Sequence, residues 1–105
     1  ATFTVDNVTV DTNFHHIIIT FDGSQTGNAN RLQARLDGDS VTLTFSGTVG
    51  TATSASASTF YGGCDTAGNN NYFIGDIGEL MIFTRALNTS EVLAVETYLS
   101  NKWGI

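Results

Sequence analysis

An all-β, antiparallel fold closed by one short C-terminal helix follows from three features of this 105-residue chain. In the first, Leu32, Ala34 and Leu36 alternate with Arg31, Gln33 and Arg35, and Val41, Leu43 and Phe45 alternate with Thr42, Thr44 and Ser46. Asp37-Gly38-Asp39-Ser40 lies between the two runs, so period-two patterning predicts a hairpin with one apolar and one polar face. The second is Phe14-His15-His16-Ile17-Ile18-Ile19-Thr20-Phe21, closed by Asp22-Gly23-Ser24. Its apolar character is too continuous for a strand with one face in water, which predicts a central strand. The third is the end of the chain, where Asn88 and Glu91 stand in capping-box spacing ahead of Val92, Val95, Leu99 and Trp103. Spacings of three and four give one apolar helical stripe, and Gly104 suits a left-handed exit.

The remaining elements follow in chain order. Phe3, Val5, Val8 and Val10 alternate, but the phase shifts at Asp6-Asn7. A tight turn there would set Val5 opposite Val8, and a bulge is the other solution. Residues 24–30 are polar and rich in Gly and Asn, a loop. Residues 47–58 hold mainly Thr, Ser, Ala and Gly, so they offer little apolar area and form a weak edge strand or a connection. A Gly- and Asn-rich loop over residues 61–71 precedes the most apolar strand expected, residues 80–83. With no proline in the chain, every turn rests on Gly, Asn and Asp.

Composition excludes several roles. At this length one domain with one core is expected, burying roughly 65% of the unfolded chain's surface. Ten acidic against four basic side chains give a net charge of −6, which argues against nucleic acid and anionic membranes as partners. No apolar run approaches the roughly 20 residues of a membrane span, so no membrane insertion is expected. The single Cys64 cannot form an internal disulfide, and nothing basic beside it in sequence would activate its thiol.

Three segments together resemble the laminin-G-like, concanavalin A-like lectin/glucanase superfamily. The run from Phe14-His15-His16 to Asp22-Gly23-Ser24 resembles that family's strand beginning Trp-His-His and ending in an Asp-Gly turn. Residues 31–38 resemble the strand after it. Residues 75–87, with their Arg85-Ala86-Leu87 exit, resemble the closing strand, and Tyr98-Leu99 with Lys102-Trp103-Gly104 resembles the helix that closes many bacterial and phage members. The resemblance covers most of the chain from residue 14 onward. It implies an antiparallel β-sandwich of jelly-roll type with a short C-terminal α-helix, and an extracellular, cell-surface or virion location. Because such domains run longer and these motifs belong to their later half, residues 1–105 form either a single minimal domain or the C-terminal part of a larger one. An open sheet edge templates pairing, so association with a second copy or with a companion segment is expected.

Glycosidases of related sandwiches need two carboxylates about 5 to 10 Å apart in one cleft. Asp76 and Glu79, three apart on an expected strand, would point to opposite faces, and Asp6 with Asp11 is no better. No Gly-x-Ser-x-Gly elbow occurs, so no enzyme activity is expected. His15 and His16 would project to opposite sides and share no metal; a histidine bonded to backbone is the expected role. Asp65 and Asp76 are calcium candidates, as the resemblance implies a loop-rim site, although no cofactor is required. The resemblance also implies glycan binding through loops, for which Tyr61, Asn69, Asn70, Asn71 and Tyr72 offer aromatic faces and amides. The competing reading is a structural assembly protein, such as a phage capsid decoration or a tail or fibre component, whose surface meets cell-surface or virion proteins or its own copies.

Overall fold

The computed structural model describes residues 2–6, 8, 11–53 and 72–105. Strands β1 (Thr2–Val5), β2 (Ile17–Phe21), β3 (Leu32–Leu36), β4 (Asp39–Val41) and β5 (Leu43–Ser46) form two antiparallel sheets, with the single-turn helix α1 (Asn28–Arg31) before β3 and helix α2 (Thr89–Trp103) at the end. One sheet pairs β1 with β5; the other has the order β2-β3-β4.

Asp37-Gly38 turns the β3–β4 hairpin in two residues, since Leu36 pairs with Asp39. Both loop residues have positive φ, 51° and 91°, the geometry that matches strand twist and favours an Asp-Gly pair. The polar alternation of residues 41–46 predicts one strand; instead the chain leaves the three-stranded sheet after Val41 and joins β1 from Leu43. Thr42 is the crossing point, and its carbonyl accepts from the Asp6 amide at 3.0 Å. Phe3 and Phe45 from one sheet and Phe21 and Leu32 from the other line a shared space of about 230 Å³. The sheets therefore meet through apolar side chains, as the layers of a sandwich do.

Three expectations are corrected. Among the described residues β2 lies at a sheet edge, with β3 in the centre, and Ile17 is 50% exposed. β1 pairs with β5, not with the segment around Val8, which is exposed; residues 7, 9 and 10 lie outside the described residues. Residues 80–83 form no strand, and Ile82 is 69% exposed. A strand needs a partner's hydrogen-bonding edge as well as suitable side chains, and β propensity alone does not supply one.

Around β2 and β3, side chains tie down backbone. Asp22 accepts from the Ser24 amide and hydroxyl and from Gln25, an Asx-type turn. Asn28 donates to the Gly47 carbonyl and accepts from the Val49 amide, while Arg31 donates to the Gln25 and Val49 carbonyls. Val49 is consequently buried, with Ala34 and Val92 the other buried apolar residues described. The segment 54–58, expected as edge strand or connection, lies outside the described residues.

Helix α2 starts as its sequence predicts. Asn88 Oδ1 accepts from the Glu91 amide and Glu91 Oε2 accepts from the Asn88 amide, and Arg85 grips the same Glu91 carboxylate through both terminal nitrogens at 2.7 and 2.5 Å. The Arg85 hydrogen bonds, with that of the Asn88 amide, hold the Glu91 carboxyl down at about 2. Gly104 ends the helix at φ 68°. Among the described residues no helix is long and apolar enough to cross a membrane.

Candidate functional site

Cross-strand register places Ile18 beside Arg35, Thr20 beside Gln33 and Arg35 beside Ser40 on one face of the three-stranded sheet. Helix α2 lies over that face. Between them is a cleft of about 540 Å³, walled on the sheet side by Thr20, Gln33, Ser40 and Thr42 and on the helix side by Leu87, Val92 and Leu93. Its size falls within the roughly 300–1,000 Å³ typical of small-ligand sites. Its lining joins hydroxyl and amide groups to an aliphatic wall.

Arg35 is the charged residue of this lining, and four of its five N–H donors have protein partners. Nε donates to Glu96 Oε1 at 2.6 Å and Nη2 to Glu96 Oε2 at 3.2 Å; Nη2 also bonds the Gly38 carbonyl, and Nη1 lies 3.4 Å from Ser40 Oγ. Glu96 is only 6% exposed. A two-pronged ion pair therefore ties the helix to the sheet, and donating to the Glu96 carboxylate raises the Arg35 guanidinium further above its ordinary value.

The other side of the β3–β4 turn is held by His15. Its ring nitrogens lie 2.6 Å from Asp37 Oδ2 and 2.9 Å from Asp11 Oδ1. Hydrogen bonding to Asp37 first, and to Asp11 second, raises the imidazole, and a ring that donates from both nitrogens is the imidazolium. Burial works to raise the Asp37 carboxyl, but the hydrogen bonds from His15 and from the His16 amide outweigh it and hold it low. Asp11 is held low first by His15 and then by Asn13. His16 is buried, with Nδ1 unpartnered and Nε2 3.5 Å from Ser100 Oγ on α2. The expected backbone-bonded histidine is thus corrected: the His15 ring bridges two carboxylates, because the Asp37 side chain at a left-handed turn position is aimed back at it.

At the helix's far end, Glu79 accepts from Lys102, Trp103 and Tyr98, which lower its carboxyl, Lys102 first. Lys102 also sits 5.3 and 5.6 Å from the Tyr98 and Trp103 ring centres. Glu79 is therefore committed to the helix, and the expected strand that would set Asp76 and Glu79 on opposite faces does not form.

Of the residues expected to bind ligand, Tyr72 is described and is 62% exposed; Tyr61, Asn69, Asn70 and Asn71 lie outside the described residues, as does Cys64. Of the calcium candidates, Asp76 is exposed and Asp65 lies outside the described residues. Among the described residues no group of three His, Cys, Asp or Glu side chains is placed to hold a metal ion. The cleft residues Thr20, Gln33, Ser40 and Thr42 were not singled out by sequence. Their signal is the polar alternation itself, which marks a shared face without naming what covers it.

A laminin-G family model, described as the concanavalin A-like lectin/glucanases superfamily, matches residues 1–93. The chain belongs to this family. The match begins ahead of the motifs at residue 14 and ends within α2, so it takes in both sheets and the whole sheet side of the cleft. No curated protein and no solved structure matches the chain.

Proposed function

We propose that this chain is a non-catalytic carbohydrate-binding module that works outside the cell or on a virion surface. The observation that carries the reading is the cleft under α2, in a family whose description joins lectins to glucanases. Sugars present hydroxyls on their edges and C–H groups on their faces, and Thr20, Gln33, Ser40 and Thr42 opposite Leu87, Val92 and Leu93 match that division. The non-catalytic part is supported by the engagement of three of the four carboxylates weighed as candidates: Glu79 with three donors from α2, Asp6 with the Thr44 hydroxyl, and Asp11 with His15 and Asn13. Tyr61, Asn69, Asn70, Asn71 and Tyr72 are further residues proposed to contact the glycan, and a jelly-roll completion of the two sheets is part of the same reading. Calcium on Asp65 and Asp76 is an optional addition to it.

A broad glycan array tests the reading, with binding expected for a defined subset and weakened by Tyr61→Ala or Asn70→Ala. An array without any binding would remove it. A second reading, a structural assembly protein that meets its own copies or a companion segment, is favoured by one observation. Phe73, Ile74, Ile77, Leu80, Ile82 and Phe83 are all exposed along a single stretch, and clustered exposed apolar residues mark contact surfaces. Sedimentation velocity separates the two, because a concentration-independent monomer is incompatible with assembly through this stretch.

A further inference from the structure

We infer that the cleft selects neutral, hydroxyl-rich saccharides and rejects those carrying carboxylate or sulfate groups. The inference rests on the carbohydrate-binding reading above and names the ligand class for its site. Recognition of an acidic sugar calls for a cation whose donors are open to the incoming anion, usually an arginine fork. The cation bordering this cleft is Arg35, and Glu96 takes its Nε and Nη2 donors at 2.6 and 3.2 Å. The remaining contacts of its guanidinium go to the Gly38 carbonyl and to Ser40 Oγ.

An anion that drew Arg35 away would leave the Glu96 carboxylate, buried beneath α2, without its counter-charge. Stranding a buried charge costs more than one new surface contact returns. The other basic side chains are committed elsewhere: Arg31 to the Gln25 and Val49 carbonyls, Arg85 to Glu91, and Lys102 to Glu79. What the cleft does offer is uncharged. Thr20 and Thr42 present hydroxyls that both donate and accept, and Gln33 adds a carboxamide, which suits a ligand whose own groups are hydroxyls of the same dual character.

The experiment is titration calorimetry of the whole chain against two oligosaccharide series of equal length, one neutral and one bearing uronate or sulfate, each at about 0.15 M and 0.5 M salt. Added salt screens the long-range repulsion from the net charge of −6 but leaves a short-range preference in the cleft. The expected result is neutral binding at least about tenfold tighter than acidic binding at both salt levels. Thr20→Val combined with Gln33→Leu should weaken neutral binding by about tenfold, as the loss of two hydrogen bonds implies. Should that pair not fold by circular dichroism, the single Gln33→Ala at an exposed position takes its place. Acidic sugars binding as well as neutral ones overturns the inference while leaving the carbohydrate reading standing. So does a preference that vanishes at high salt, or one untouched by the cleft variants. No binding of either series removes both.

Discussion

Cutting the tie between Arg35 and Glu96 is the perturbation with the largest expected effect on the fold. The pair joins residues 61 positions apart at 2.6 and 3.2 Å, and Glu96 is the more enclosed partner, with the Arg35 side chain 29% exposed. Arg35→Met therefore leaves a buried carboxylate without a counter-charge, and the cost should sit at the lower edge of the range for broken buried pairs, about 3 kcal/mol. Glu96→Leu leaves the guanidinium nearer water and should cost less, about 1.5 kcal/mol, the loss of one charge-assisted hydrogen-bonding contact. The double variant removes both charges and should return to within about 1 kcal/mol of the parent, since apolar replacement of a whole buried pair is close to neutral. The coupling between the two positions is then at least about 3.5 kcal/mol, read from urea denaturation of the four proteins by linear extrapolation. In a domain of this size Arg35→Met should also lower Tm by roughly 12 °C or more. If Arg35→Met costs under about 0.5 kcal/mol, or if the two losses simply add in the double variant, the ion pair does not hold α2 to the sheet.

Two further outcomes follow. His15 contributes stability that is fully present below the imidazole's ordinary 6.5 and fades as pH rises through its raised value, whereas Asp11 and Asp37 contribute above 3.8 and lose it as pH falls; Tm should therefore peak between those limits, and a His15→Gln variant that declined as steeply as the parent above pH 6.5 would contradict the bridge. Gly23→Ala would place a Cβ 1.9 Å from the Thr51 carbonyl oxygen, an overlap with backbone that no rotamer relieves, so the urea midpoint should fall by the equivalent of about 2 kcal/mol, and an unchanged midpoint would show that the two segments do not approach so closely.

What the sequence made legible is what depends on neighbours along the chain. The Asn88–Glu91 capping box forms where it is expected, and the turn expected over residues 37–40 forms at Asp37-Gly38 alone, with Asp39 and Ser40 already in β4, because each is decided by a few neighbouring residues. The sheet change at Thr42 is invisible, since the alternation continues through it unbroken while the pairing partner switches from β3 to β1. Residues 80–83 show the converse: a strong apolar pattern without a paired strand, where composition met no edge to complete it. The His15 bridge needs residues 11, 15 and 37 together, which no local pattern specifies.

Glu96 carries a tertiary feature that was not singled out by sequence, although its position on the helix bears on it. On a helix whose apolar stripe runs through Val92, Val95 and Leu99, position 96 stands four residues beyond Val92 and so shares its face. A carboxylate there must be buried by the same packing that buries Val92, and a buried carboxylate requires a cation. The chain has four basic side chains, Arg31, Arg35, Arg85 and Lys102. Arg85 falls beside Glu91 and Lys102 follows six residues later on the helix itself, which leaves Arg31 and Arg35 on the polar face of the alternating strand. The structure chooses Arg35 and so sets α2 against the polar side of β3, and a helix held to a polar strand face by an ion pair at one point encloses hydroxyls and amides along the rest.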